Sequence, residues 1–304
     1  MDLSFFKKTR ILDAGMGQEL LARGLITKGT LWSATSLIDE KFNSLVVDTH
    51  LSSIRAGADV ILTNTFTTRR VRMVQNQVGD LFQFANQKAC ELAIKARELS
   101  KKNILIAGSL PAQNDTYQAD KRDQNIIEKD FFDQASIINP YIDFFYLDVI
   151  SSGREVEVAL NVIDKLNKPV LVGLHLKKNG MLPSGETITE IVKKYKNTKW
   201  LGVVSACVSL EIIEQTVDEL KSLDIPFGFK ANLWAVEEPL PVHRFNTAGY
   251  NEIGKNPNIT LGKREITGKV FCQFAKKISK KGATILGGCC ETDSSHIKEL
   301  SKLK

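Results

Sequence analysis

The chain has 304 residues, with 41 Lys and Arg against 35 Asp and Glu, so its formal net charge is +6. Apolar residues make up 43% and charged residues 25%, which is ordinary for a globular protein and excludes a mainly disordered chain. The positive charge is dispersed among lysines of predicted helices and forms no stripe interleaved with aromatic residues. This distribution argues against a nucleic-acid-binding protein.

Nothing in the sequence predicts a membrane or secreted protein. No apolar run reaches the roughly 18 residues that a membrane-spanning helix needs, and the N-terminal segment lacks the apolar core of a secretory signal. The five cysteines are an odd number and do not punctuate the chain as a disulfide framework would. We therefore expect a protein of the reducing cytoplasm without a membrane partner. The sequence carries no signal for an oligomeric state.

Eight short runs rich in Val, Ile and Leu recur along the chain, each followed by a longer segment of helical period. The runs begin at Arg10, Ala58, Asn103, Asp143, Pro169, Trp200, Ile225 and Ala283. Near-continuous apolar runs are typical of strands buried on both faces, as in a parallel sheet. The clearest helical patterns are residues 82–102 and residues 209–223, the second with Ser209 as its predicted N-cap.

Eight strand-then-helix units predict an α/β fold of the single (β/α)8 TIM-barrel type, with residues 1–304 forming one domain. The alternative is an open doubly wound sheet, but no Gly-x-Gly-x-x-Gly motif follows the first run. Two connections are longer than the others, residues 14–57 and residues 233–282. Long loops on a barrel usually surround the catalytic face, so we expect both near the active site.

Polar side chains stand at the carboxyl ends of the predicted strands, where the active site of a barrel lies. They include Asp13 after the first strand, residues 63–65 after the second, Asp148 after the fourth and His175 after the fifth. Cys207 follows the sixth strand and Cys289 and Cys290 follow the eighth.

Three cysteines predicted on one rim indicate a zinc site with a fourth position open to substrate. Two alternatives are cysteines packed as small buried hydrophobes and a strained disulfide between the adjacent pair. The two glycines before that pair, Gly287 and Gly288, permit a bend that lets both thiols reach one metal. Cys90 and Cys272 lie within helical patterns, where core packing is the expected role.

Three motifs carry a resemblance to a known family. They are DAGMGQELLARG at 13–24, AGADVILTNTFTT at 56–68 and GGCCETDSSHI at 287–297. Over nearly its whole length the chain resembles the homocysteine S-methyltransferases, which are zinc-dependent (β/α)8 barrels that bind homocysteine. The last motif is the most specific, because it contains two of the family's metal ligands.

The resemblance implies a role for several residues. Cys207, Cys289 and Cys290 would be the three zinc ligands. Asp13 would lie where the family holds the amino group of homocysteine, and Asp148 would replace the family's strand-four glutamate with a side chain shorter by one methylene. The backbone amides of Ala14, Gly15 and Met16 would face the substrate carboxylate. Asn64, Phe66 and His175 complete the expected substrate-binding set, although a structural role for His175 is an equal alternative.

The chain also departs from the family pattern. Ala206 stands where the family has an Asn beside the first metal ligand, and Glu291 replaces the glycine after the cysteine pair. Residues 111–115 replace the Gly-Pro-Tyr-Gly-Ala loop on the donor side. These changes preserve the three predicted ligands and leave the identity of the methyl donor open.

The predicted function is a cytoplasmic, zinc-dependent S-methyltransferase of methionine biosynthesis, with small molecules as its partners. A free thiol is mostly protonated at neutral pH, and zinc would stabilise the nucleophilic thiolate. The donor would be S-methylmethionine, S-adenosylmethionine or a betaine-like compound, the acceptor homocysteine, and the catalytic acidic groups Asp13 and Asp148. One alternative is a different thiol or selenol acceptor. The other is an inactive barrel that binds zinc and an amino acid.

Overall fold

A computed structural model describes residues 4–197 and 199–304 of the chain. Its strands form one eight-stranded parallel sheet in the order β1-β8-β7-β6-β5-β4-β3-β2. The strands are β1 Arg10–Ile11, β2 Val60–Leu62, β3 Leu105–Pro111, β4 Phe144–Ile150, β5 Val170–Leu174, β6 Trp200–Val208, β7 Phe227–Ala231 and β8 Ile285–Gly288. Each overlaps one of the eight predicted apolar runs, and β3 and β6 extend one residue past theirs.

The first and second strands close the sheet into a barrel. A parallel bridge pairs Leu12 with Val60, and the amide of Asp59 donates to the carbonyl of Ile11 at 2.7 Å. The (β/α)8 prediction is therefore confirmed and the open doubly wound alternative is excluded.

Helices surround the barrel and connect consecutive strands. In the described part of the chain the α-helices are α1 Met16–Ala22, α2 Thr35–Ile38, α3 Asn43–Ala56, α4 Arg70–Gln75, α5 Phe82–Ser100, α6 Gln124–Ile138, α7 Gly153–Leu166, α8 Ile188–Tyr195, α9 Leu210–Lys221, α10 Asn258–Leu261, α11 Gly268–Ser279 and α12 Ser294–Leu300. The Ser209 side chain accepts a hydrogen bond from the amide of Ile212, as an N-cap does, so that prediction is confirmed. None of the described helices is long and apolar enough to cross a membrane.

Alternation along the strands separates two hydrophobic layers. On β4, Phe144 and Tyr146 point into the barrel interior, whereas Phe145 and Leu147 pack between the sheet and the helices. Every residue of β4 is buried because both faces of the strand are covered. This packing explains why the strands read as continuous apolar runs.

The first turn of α7 contains a buried carboxyl group. The Glu155 side chain is fully buried and accepts a hydrogen bond of 2.6 Å from the hydroxyl of Ser152, the N-cap of α7. Burial disfavours the charged carboxylate and raises the pKa of Glu155 to about 7.

The pKa of Glu155 predicts a pH-dependent stability. Between the ordinary pKa of 4.5 and the folded value of about 7, the folded state keeps a proton that the unfolded state has lost. Raising the pH through this window therefore lowers the free energy of unfolding, by about 3 kcal/mol for a shift of this size. Glu155→Gln should remove that loss in urea unfolding measured between pH 5 and 8. Glu157→Gln, at an exposed position of the same helix, is the control, and equal slopes in both variants would contradict the assignment.

Candidate active site

Three cysteines converge at the carboxyl end of the barrel. The Sγ atoms of Cys207, Cys289 and Cys290 all lie within 4.8 Å of one another, and those of Cys207 and Cys290 are 3.7 Å apart. Sulfurs that share a tetrahedral zinc with bonds of about 2.3 Å lie about 3.8 Å apart. All five cysteines are free, so the adjacent pair forms no disulfide. The predicted convergence is confirmed, and the donor set fits zinc.

Backbone irregularities place these thiols. The pairing of β6 with β7 shifts register between Ala206 and Val208, and Cys207 has a φ of +52°. On the opposite side of the cluster, a Cβ atom at Gly15 would overlap the carbonyl oxygen of Cys289. Glycine is therefore required where the loop after β1 packs against the cysteine pair.

Strained residues concentrate around the cluster. Besides Cys207, positive φ angles occur at Tyr117 (+66°), Val149 (+61°) and Glu291 (+63°). Tyr117 and Val149 line the same cavity as the cysteines, and Glu291 directly follows Cys290. Left-handed conformations of non-glycine residues are unfavourable and typically persist at functional sites.

The three thiols are not equivalent. Burial alone would raise the pKa of Cys207, but hydrogen bonds from Cys289, Cys290 and Tyr117 lower it well below its usual value. The Tyr117 hydroxyl lies 3.2 Å from Cys207 Sγ. The hydrogen bond to Cys207 in turn raises the pKa of Cys289 and of Cys290. Crowding of three buried thiols disfavours more than one negative charge, so three thiolates would require a bound cation.

A cavity opens beside the cysteine cluster and brings most of the predicted site residues together. The lining includes Asp13, Ala14, Gly15, Met16, Asn64, Phe66 and Asp148. Both long connections contribute to its wall, through Trp32 from the first and Phe245 from the second. Aromatic side chains of Phe66, Tyr117 and Trp234 also line it.

His175 lies outside this lining. Its ring packs against the ring of Tyr117 with centroids 4.7 Å apart, and its Nδ1 lies 3.3 Å from the carbonyl oxygen of Ala206. Burial lowers the pKa of His175 to about 4, so the ring is neutral at physiological pH. The structure gives His175 a supporting position behind Tyr117, and its predicted substrate contact stays a prediction.

Asp13 forms an ion pair with a residue that the sequence analysis missed. Lys230, at the end of β7, places its Nζ 2.7 Å from Asp13 Oδ1, and both side chains are almost fully buried. The other carboxylate oxygen accepts the amide of Leu62 at 2.7 Å. A lysine within the apolar run IPFGFKANLW is the signal that could have found this pair, because a buried charge requires a counter-charge.

Asp148 has fewer hydrogen-bond and charged partners than Asp13 among the described residues. Its Oδ2 accepts a hydrogen bond of 2.7 Å from the Ser109 hydroxyl. Burial, followed by the charge of Cys289, raises the pKa of Asp148 to about 7. The register of β4 with β5 shifts between Leu147 and Ile150, and this irregularity brackets Asp148 where it enters the cavity.

The remaining wall of the cavity carries two arginines that the sequence analysis also missed. Arg69 and Arg72 follow β2, line the cavity and are 0% and 6% exposed. Arg69 donates to the carbonyl of Ala112 at 2.8 Å and to the Thr116 hydroxyl at 3.1 Å. Arg72 lies 3.5 Å from a carboxylate oxygen of Asp115. The sequence TTRRVR after the second strand was the available signal.

The buried ion pair predicts a large effect of single substitutions. Lys230→Met leaves the Asp13 carboxylate without its counter-charge, so it should lower the free energy of unfolding by about 3–5 kcal/mol, and Asp13→Asn added to it should restore most of that loss. Urea unfolding of the two variants measures both effects. Lys281→Met breaks an exposed pair with Asp218 and should cost less than about 1 kcal/mol. Equal costs for the two lysines would contradict this description of the pair.

Comparison with known proteins agrees with this geometry. The family described as homocysteine S-methyltransferase matches residues 10–303. Homocysteine S-methyltransferase 2 of Saccharomyces cerevisiae is 23% identical, covering 97% of this chain and 94% of that protein. Betaine–homocysteine S-methyltransferase 1 of Danio rerio is 26% identical, covering 95% of this chain and 71% of that protein.

Solved structures share the fold. The metallated form of the Escherichia coli homocysteine methyltransferase MmuM superimposes with a TM-score of 0.76 at 19% identity, covering 98% of this chain and 96% of that one. The match of the family over nearly the whole chain confirms the resemblance carried by the three sequence motifs. The chain is therefore a member of the homocysteine S-methyltransferase family of enzymes.

Proposed function

We propose that this protein transfers a methyl group from a small sulfonium or quaternary ammonium donor to homocysteine, giving methionine, in a zinc-dependent reaction. The convergence of three thiols on a cavity that also contains two buried carboxyl groups supports the proposal most directly. The names of the relatives support homocysteine as the acceptor.

Cys207, Cys289 and Cys290 would hold the zinc ion. When bound, zinc would lower the pKa of the acceptor thiol and keep it as a thiolate at neutral pH. The chain's own contribution is a preformed set of three sulfurs that line the cavity, and a zinc ion held by them would have a coordination position left for the acceptor thiol.

The carboxyl groups would orient the amino acid. Asp13 is neutralised by Lys230, whereas Asp148 has only the Ser109 hydroxyl as a hydrogen-bond donor among the described residues. We therefore propose Asp148, in place of Asp13, as the partner of the substrate ammonium group, with the Asp13–Lys230 pair forming the wall beside it. The amides of Ala14, Gly15 and Met16 remain the proposed site for the substrate carboxylate.

The transfer step requires that the acceptor sulfur and the donor methyl group be aligned. It requires no general base at the methyl group. The acceptor sulfur forms a bond to the methyl carbon while the bond from that carbon to the onium atom breaks, and its electron pair stays on the leaving atom. The leaving atom is then neutral, and the thiol proton is released to solvent before the transfer. Holding the two reactants in line supplies much of the rate enhancement. The aromatic faces of Phe66, Tyr117 and Trp234 would stabilise the cationic donor.

Removing one thiol tests the metal assignment. Cys290→Ser replaces a soft sulfur ligand with a poor hydroxyl ligand, so we expect the zinc content to fall from about one per chain to near zero and methyl transfer to be lost. Metal analysis and methionine formation from a deuterated-methyl donor are the measurements. Cys272→Ser, in α11 and outside the cavity, should change neither. Full zinc retention in Cys290→Ser would refute the proposed site.

Charge removal at Asp148 tests acceptor recognition. Asp148→Asn should raise the KM for homocysteine about 10- to 100-fold, as expected for loss of a hydrogen bond between charged groups, with zinc content unchanged. The matched substrate is 4-mercaptobutanoate, which lacks the amino group. The wild-type protein should prefer homocysteine over this thiol, and the variant should lose that preference. An unchanged preference would remove Asp148 from the proposed role.

A panel of thiols and selenols with one donor tests the acceptor itself. Homocysteine should react fastest. If another thiol or selenol reacts while homocysteine does not, the acceptor in this proposal is wrong, although the metal site stands. Zinc and homocysteine binding without turnover of any donor would favour an inactive barrel.

A further inference from the structure

The Tyr117 hydroxyl contacts one sulfur of the cysteine cluster. Its oxygen lies 3.2 Å from Cys207 Sγ, within hydrogen-bond reach. A thiolate that binds a metal carries no proton, so the phenol would be the donor in this contact once the cluster holds zinc. Phenols are protonated at neutral pH, because their ordinary pKa is about 10. Among the described residues, Cys207 is therefore the one cysteine of the cluster whose sulfur accepts a hydrogen bond from a hydroxyl group.

Tyr117 is held in this position from two sides. Its backbone is left-handed, with a φ of +66°, which is unfavourable for a residue with a bulky side chain. On one side its ring packs against the ring of His175, with centroids 4.7 Å apart. On the other side the preceding residue, Thr116, accepts a hydrogen bond of 3.1 Å from Arg69. The surrounding structure therefore keeps the hydroxyl at the sulfur.

The cavity contains more than one sulfur that a methylating compound could reach. Cys207, Cys289 and Cys290 all line it, and the proposed acceptor thiol would enter the same space. Thiolates are nucleophiles, so a ligand sulfur competes with the acceptor for the methyl group. Methylation of a ligand would form a carbon–sulfur bond and break the bond to the leaving group, which keeps the electron pair. The product is a neutral thioether, which removes one negative charge from the metal site.

We infer that the Tyr117 hydroxyl protects Cys207 from methylation by hydrogen-bonding to its sulfur, and so directs methyl transfer to the acceptor. The inference rests on the proposed function, because it assumes a zinc-bound cluster and a methyl donor in the cavity. A hydrogen bond stabilises a charged sulfur more than a neutral one, so it weakens as the sulfur is methylated and raises the barrier to that step. Groups that hydrogen-bond to metal ligands commonly tune those ligands in this way.

Tyr117→Phe tests this role, because it removes the hydroxyl and keeps the ring that packs on His175 and lines the cavity. The probe is methyl methanesulfonate, a small neutral methylating agent that needs no donor-binding site. The zinc-loaded protein is treated without an acceptor, and peptide mass spectrometry follows the methylation of each cysteine. Methylation of Cys207 should become about 10-fold faster in the variant, while Cys289 and Cys290 keep their rates.

Tyr146→Phe is the matched control. Tyr146 lies in the barrel interior outside the cavity lining, and its buried hydroxyl has no hydrogen-bond partner among the described residues. Its removal should leave the methylation of Cys207 unchanged. A second measurement does not depend on methylation. In the cobalt-loaded protein, the sulfur-to-cobalt charge-transfer band should move to lower energy in Tyr117→Phe but not in Tyr146→Phe, because a sulfur that loses a hydrogen bond donates electrons more readily.

Replacement of Tyr117 by 3-fluorotyrosine gives a change in the opposite direction. The fluorine hardly alters the size of the side chain and makes the hydroxyl a stronger hydrogen-bond donor. Methylation of Cys207 should then be slower than in the wild-type protein, and an equal or faster rate would contradict the inference. This protein keeps the test available if circular dichroism melting curves show that Tyr117→Phe fails to fold.

The outcomes separate the inference from the proposed function. Equal methylation of Cys207 in the wild-type protein and in folded, zinc-loaded Tyr117→Phe would overturn the inference while the proposed methyl transfer stands. Equal acceleration at all three cysteines would mean that the hydroxyl only restricts access to the cavity, and it would also overturn the inference. Acceleration confined to Cys207, in a protein that forms no methionine from any donor, would support the inference and contradict the proposed reaction.

Discussion

The rest of the site depends on the crowding of three buried thiols at the rim of the barrel. Sulfurs as close as 3.7 Å cannot all carry negative charge in a buried site without a cation. Three features accommodate this crowding. They are the left-handed backbone of Cys207, the absence of a side chain at Gly15 where it packs against Cys289, and the hydrogen bond from Tyr117 to Cys207. Each of these features constrains a different loop, so the cluster fixes the arrangement of the loops after β1, β3, β6 and β8.

The charges of the cavity are divided between its walls. Lys230 neutralises Asp13, so one carboxylate near the cysteines is already paired. Asp148 retains acceptor capacity, whereas Arg69 and Arg72 bring guanidinium groups to another wall of the cavity. The walls of the cavity therefore differ in charge.

The departures from the family motifs have structural counterparts. The altered segment ends at Asp115, which pairs with Arg72, and the next two residues, Thr116 and Tyr117, contact Arg69 and Cys207. The lost Asn beside the first cysteine leaves Ala206, whose carbonyl oxygen contacts His175 behind Tyr117. Asn232, the residue after β7, donates to the carbonyl of Cys207 at 2.7 Å and so places an amide beside that cysteine.

The sequence by itself determined the strands and the three cysteines. Eight doubly buried strands must be apolar throughout, and the glycine–cysteine motif is local, so both are readable without coordinates. Only the tertiary structure decided that Lys230 neutralises Asp13, that His175 lies behind Tyr117 and that two arginines enter the cavity. These contacts join residues on different strands and loops. The distances between buried charged groups decide which of them pair. Strand register and backbone bends set these distances, and a sequence pattern does not encode them.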